Sequence, residues 1–146
     1  MKKLIVLFAV FISYSSYGQS INDITKIAFS STTLRTGFTE EIILTKDSLF
    51  INSYTKSNPD SGNYISKGIS VDKWETALLK VPNMKLSKIF ELESPTNKRS
   101  TDGARYSQLT FTTWNNDEYY HMFDEENPHE KLVGLLLELK TMTIKK

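Results

Sequence analysis

Both histidines of the chain fall close together, with acids between and after them: His121, Asp124, Glu125, Glu126, His129 and Glu130. Imidazole nitrogens with carboxylate oxygens are a donor set for zinc and other divalent ions. His121, Asp124 and His129 are therefore the residues from which a metal-dependent hydrolase would be built. Their spacing crosses a strand end, a turn and a helix start, and it matches no compact ligand pattern such as HExxH. The plainer reading is that the acids sit at a helix N-terminus, where the dipole favours them. On that reading His121 packs between Tyr119 and Phe123. No cofactor is expected.

A second constellation lies upstream. Ser94-Pro95-Thr96-Asn97-Lys98-Arg99-Ser100-Thr101-Asp102-Gly103-Ala104-Arg105 carries no apolar side chain larger than alanine or proline. Lys98, Arg99 and Arg105 flank the Asp102-Gly103 turn, and a guanidinium suits planar pairing with a carboxylate or another anion. Loops of this kind on a regular scaffold are where binding tends to sit. Lys98, Arg99, Asp102, Arg105 and the nearby Trp114 are the candidate binding residues. The plainer reading makes the cations solvated and Asp102-Gly103 a chain reversal. Other signatures are missing: there is no GxSxG elbow, no Gly-rich phosphate loop and no cysteine nucleophile. The leading expectation is a non-enzymatic module binding a protein or peptide through the 96–105 loop and the adjoining hairpin. A structural cell-envelope protein without a discrete site is the remaining alternative.

The elements that must hold these residues follow from periodicity. Ile24, Ile27 and Phe29 read as a short edge strand, and residues 30–37 as a polar, flexible connection. Residues 40–45 and 48–54 are β-branched and aromatic around Lys46-Asp47, which predicts a hairpin. Residues 56–62 form a loop by composition, and residues 63–69 a third strand. Ser70 caps a helix bearing Val71, Trp74, Ala77 and Leu78 on one stripe, ended by Pro82. Leu86, Ile89 and Phe90 repeat the helical spacing. Residues 106–114 and 118–123 predict a second hairpin around Asn115-Asn116-Asp117, residues that tolerate left-handed backbone. Asn127-Pro128 opens a last helix with Leu132, Leu135, Leu136 and Leu139 inward, widened by Val133 and Leu137.

Strands in hairpins followed by helices predict an α+β fold. The expected order is β-β-β-α-(short α)-β-β-α, an antiparallel sheet of about five strands with two main helices on one face. The N-terminus is separate in character. Met1-Lys2-Lys3, a nine-residue apolar run from Leu4 to Ile12 and small residues up to Gly18 describe a secretory signal peptide. Cleavage is expected between Gly18 and Gln19, leaving residues 19–146 as one exported α+β domain, periplasmic or extracellular. The apolar run is short of the roughly 20 residues that span a bilayer, so no membrane anchor is expected after cleavage. Losing Lys2 and Lys3 leaves 16 basic against 17 acidic side chains, net −1. That balance gives no field to attract nucleic acid. Without cysteine, the core alone must hold the domain.

Ser94-Pro95-Thr96, Asp102-Gly103-Ala104, the Tyr-bearing strand that follows, Phe123-Asp124 and Asn127-Pro128 together resemble a group of small exported proteins of Gram-negative bacteria. The resemblance spans about the C-terminal half, with Trp74 upstream, and it implies export but no activity. Glu125-Glu126 stands where that group has a His-Gly-like turn.

Overall fold

A computed structural model describes residues 19–98 and 104–144. Six strands form one antiparallel sheet: β1 (Ile24–Thr33), β2 (Phe38–Thr45), β3 (Ser48–Thr55), β4 (Asn58–Gly68), β5 (Arg105–Thr113) and β6 (Glu118–Asp124). Their order across the sheet is β4-β3-β2-β1-β5-β6. Helices α1 (Val71–Leu79) and α2 (Glu130–Thr143) join it, with short 3-10 helices at Ile21–Asp23 and Leu86–Glu91. This is the α+β architecture the sequence predicts, with one strand more.

Local chemistry explains the turns. Asp47 Oδ1 accepts hydrogen bonds from the Thr45 and Ser48 hydroxyls at 3.0 and 2.9 Å, closing the β2–β3 hairpin. Ser48 above all, then Thr45, holds the Asp47 carboxyl below its ordinary value of 3.8 by favouring the charged form. In the β5–β6 turn Asn116 takes the left-handed backbone (φ 67°), and Asn115 accepts from the Thr113 hydroxyl. Helix α1 buries Trp74 and Ala77, and α2 buries Leu132, Leu135, Leu136, Leu139 and Met142. These meet Ile27, Phe29, Leu44, Leu109, Phe111 and Phe123 from the sheet in one core. Val133 and Leu137 lie outside that core and are exposed, so the α2 stripe is narrower than the sequence suggests.

The first strand departs most from expectation. β1 is central, paired with β2 on one side and β5 on the other, and it runs through the polar stretch to Thr33. Hydroxyls there bridge strands and so need no apolar pattern. Ser107 Oγ meets Ser31 Oγ at 2.9 Å, and the Thr32 and Thr39 hydroxyls lie 3.1 Å apart. The edge strands are instead β6 and β4, and β4 starts at Asn58 inside the expected loop; only Lys56-Ser57 turns the chain. An exposed edge buries little, so alternation is not imposed on it.

The register aligns side chains into rows on the face opposite the helices. One row reads Ser66, Phe50, Ile43, Ala28, Thr110, Tyr120; the next reads Tyr64, Asn52, Glu41, Ser30, Gln108, Met122. None of these belongs to the core. The helices cover one face, and the other is left to solvent.

Candidate functional site

The outer margin of that face is where a groove forms. Main-chain N–H of Glu125 donates to Arg105 O at 2.8 Å, and Thr113 N–H donates to Asp117 O at 3.0 Å. Antiparallel ladders alternate, so the odd-numbered residues of β6 bond to β5 and the even-numbered ones face away from it. Tyr120 and Met122 thus direct their main chain to the sheet edge and their side chains to the bare face. Beyond this edge runs the segment that follows α1. Its 3-10 helix has three residues per turn, which puts Leu86 and Ile89 on one face, buried in the core. Phe90 is turned outward and stands 64% exposed.

The chain then passes alongside β6 and is pinned at the far end. Asp124, fully buried, accepts from the Thr96 hydroxyl at 2.9 Å and from Lys98 main-chain N–H at 2.6 Å through Oδ2. Ser94 Oγ donates to Thr96 O at 2.8 Å. Between this segment and the hairpin lies a groove of about 420 Å³, with Phe90, Glu93, Ser94 and Thr96 facing Tyr120 and Met122. Tyr120 is 43% exposed. Both walls are held by buried anchors, so the groove is preformed.

Of the expected binding residues that the structure describes, Lys98 and Arg105 both lie beside the Glu125-Glu126 turn, and Trp114 lies apart from them. Lys98 Nζ meets Glu125 Oε2 at 3.3 Å. Arg105 meets Glu40 Oε2 at 2.9 Å and Glu126 Oε1 at 3.8 Å, and Lys140 also pairs with Glu126. Its guanidinium is thereby turned toward two carboxylates of its own chain. Arg99 and Asp102 lie outside the described residues. Trp114, 70% exposed, sits at the other end of β5 from Arg105. Nine residues of antiparallel strand at about 3.4 Å each separate the two by about 30 Å.

The three candidate metal ligands also part company. His121 is buried on the core side, its ring 5.4 Å from that of Phe123. Its Nε2 accepts from the His129 main-chain N–H at 3.2 Å. His129 Nδ1 accepts from Lys131 N–H at 3.3 Å and so caps α2. Asp124 lies on the opposite parity of β6 and faces Thr96 and Lys98. Among the described residues no three histidine, aspartate or glutamate side chains gather as a metal-binding group.

At the Trp114 end, the Gln19 amide donates to Asp117 Oδ2 at 2.5 Å and accepts from the Tyr119 hydroxyl. Burial, then the Asp117 carboxylate, raises the Tyr119 pKa above its ordinary value. Gly18 lies outside the described residues. A larger apolar depression of about 810 Å³ opens there between Ile21 and Leu78, Leu79, Val81 and Met84. Gln19 and Ser20 form part of its rim.

The sequence reading missed Phe90 as a groove wall and Asp124 as an anchor. Phe90 was concealed by a helical spacing that a 3-10 turn breaks. No helix among the described residues is long and apolar enough to cross a membrane. Comparison with protein-family models, with curated proteins and with solved structures returned no match.

Proposed function

We propose that this chain is a non-enzymatic exported domain that binds an extended segment of a protein or peptide. The binding surface is the β6 groove, formed by residues 90–97 and the β5–β6 hairpin, with Lys98 next to its end. One observation carries the reading: Phe90 and Tyr120 stand exposed on facing walls of a groove framed by buried anchors. Aromatic side chains bring large contact area at low entropic cost, and preformed walls spare the ordering that weakens binding. Export is supported by the basic start, apolar run and small residues of positions 1–18. The resemblance to small exported Gram-negative proteins points the same way.

The test is expression of the full chain in a Gram-negative host. N-terminal sequencing of the exported product is expected to begin at Gln19. Capture from envelope and culture fractions is then compared between the native protein and a Phe90→Ala/Tyr120→Ala variant. A partner held by the native form and lost by the folded variant supports the groove. A partner held equally by both places binding elsewhere, and a Lys98→Ala/Arg105→Ala variant then asks whether the loop end carries it.

A further inference from the structure

The β6 margin of the groove offers more than side chains. Tyr120 and Met122 direct their main-chain N–H and C=O groups away from β5, as the alternation of the ladder requires. Among the described residues these groups take up no hydrogen bond. The 90–97 segment runs alongside them without completing a ladder. A sheet edge in that condition is a template for one more strand.

We infer that the groove takes a single extended peptide segment as a seventh strand on β6, with a lysine or arginine of that segment beside Glu93. The inference rests on the groove reading above and adds how the segment is held and which charge it carries.

The walls choose a lone chain. Within a sheet the next strand lies about 4.8 Å behind. An edge strand of a second copy would therefore drive its own neighbour into the 90–97 wall. A helix fits no better, because its main-chain groups are already bonded to one another.

Charge narrows the choice further. Glu91 pairs with Lys88 at 2.6 Å, Lys98 with Glu125 at 3.3 Å, and Glu118 with Lys26 at 3.7 Å. Glu93 lines the groove, is exposed, and has no ion pair among the described residues. Main-chain pairing then supplies affinity with little regard to sequence, and Glu93 supplies a preference for a cation.

The probe is a blocked hexapeptide of alternating valine and threonine with one central lysine, titrated to about 1 mM into the exported protein. In the free protein the Tyr120 and Met122 amides are expected to exchange with deuterium fast. Those of His121 and Phe123, which donate to β5, are expected to exchange slowly. Bound peptide is expected to slow Tyr120 and Met122 by at least about tenfold at saturation. Of two analogues N-methylated on alternate residues, one is expected to lose at least about tenfold in affinity and the other little. Only one set of peptide N–H groups can face β6. Glutamate in place of the peptide lysine, or Glu93→Lys in the protein, is expected to weaken binding about fivefold, and the two changes together to restore it. Added salt is expected to narrow these differences.

No binding up to that concentration overturns the proposal. So do analogues that bind alike, Tyr120 and Met122 amides left unprotected in the complex, or indifference to both charge reversals. Protection of those amides that grows with protein concentration alone puts a second copy in the groove and overturns it too. The groove reading fails separately. It falls if Phe90→Ala/Tyr120→Ala leaves partner capture unchanged, and it stands if capture is lost while the methylated analogues bind alike.

Discussion

Asp124 and Lys98 are 26 residues apart in sequence, yet the Lys98 main-chain N–H donates to Asp124 Oδ2 at 2.6 Å. This contact, with the Thr96 hydroxyl on the same oxygen, ties the upstream segment to the end of β6. Removing the buried acceptor takes away two part-buried hydrogen bonds, from Thr96 and Lys98, which costs about 1–3 kcal/mol. Asp124→Ala is expected to lower stability by that amount in urea unfolding and to speed proteolytic cutting within residues 94–105. Asp124→Asn keeps one acceptor oxygen and is expected to lose less. Unchanged cutting in the alanine variant would remove Asp124 as the anchor of the groove.

Glu125 adopts φ 56°, a left-handed backbone that costs an L side chain about 1–2 kcal/mol. Glycine takes that conformation freely but gains entropy when unfolded, which offsets part of the relief. Glu125→Gly also gives up an exposed pair with Lys98, an interaction of about 0–1 kcal/mol. The expected result is a gain of up to about 1 kcal/mol, against a loss for Glu125→Val. Equal stability for the two variants would contradict the backbone argument.

His121 receives the N–H that opens α2, so its task is structural. His121→Ala is expected to cost about 1–3 kcal/mol through the lost acceptor and the space left beside Phe123. Thermal unfolding with and without zinc checks the alternative. A zinc-dependent rise in Tm of the native protein that disappears in both His121→Ala and His129→Ala would revive the metal site.

Gly62 and Gly68 both lie in β4 but have different surroundings. A Cβ on Gly62 would meet the Tyr64 ring at 2.8 Å and Tyr54 Cβ at 2.9 Å; on Gly68 its nearest neighbour would be Asp47 O at 3.8 Å. Gly62→Ala is expected to cost about 1–3 kcal/mol, since Tyr54 Cβ is fixed to the backbone. Gly68→Ala is expected to be nearly neutral. Chemical denaturation of the pair decides the point.

Burial first, and then the Glu41 carboxylate, raises the Tyr54 phenol above its ordinary pKa of 10.0. Its hydroxyl donates to Glu41 Oε1 at 3.2 Å, a bond that only the protonated form makes. The fold therefore favours the neutral phenol. That contribution is complete below the ordinary value and fades as pH rises through the folded one. Tm is expected to fall as pH rises above the ordinary phenol value of 10.0, and the fall is expected to be shallower in Tyr54→Phe. An identical pH profile for the variant would discard Glu41–Tyr54 as a source of alkaline sensitivity.

The parts of this fold that were readable share a physical cause. Both hairpins combine β-branched or aromatic arms with turn residues suited to their conformations, and α2 repeats leucine at helical spacing. Burial on one face forces those patterns. β1 beyond Phe29 and β4 before Asn63 escaped because nothing forces a pattern there. Ser31, Thr32 and Thr39 are satisfied by one another's strands, and β4 faces water. The groove was half legible. The polar run from Ser94 marked where the chain leaves regular structure, but not which way Phe90 would turn. Asp124 looked like a ligand because it follows a histidine strand, and only the fold shows that it faces away from His121.

The place of β1 also bears on how the chain acquires its structure. β1 to β4 are joined by short turns and can zip together in sequence, whereas β5 pairs with β1 across the whole intervening chain, Phe29 with Leu109. Contacts so distant in sequence slow folding, because the loop between them must close first. Until β5 arrives, one side of β1 is an open template carrying Ile27 and Phe29. The strand at the centre of the finished sheet thus has an unpaired side until late in folding, and this is the period in which the chain is most exposed to misassembly.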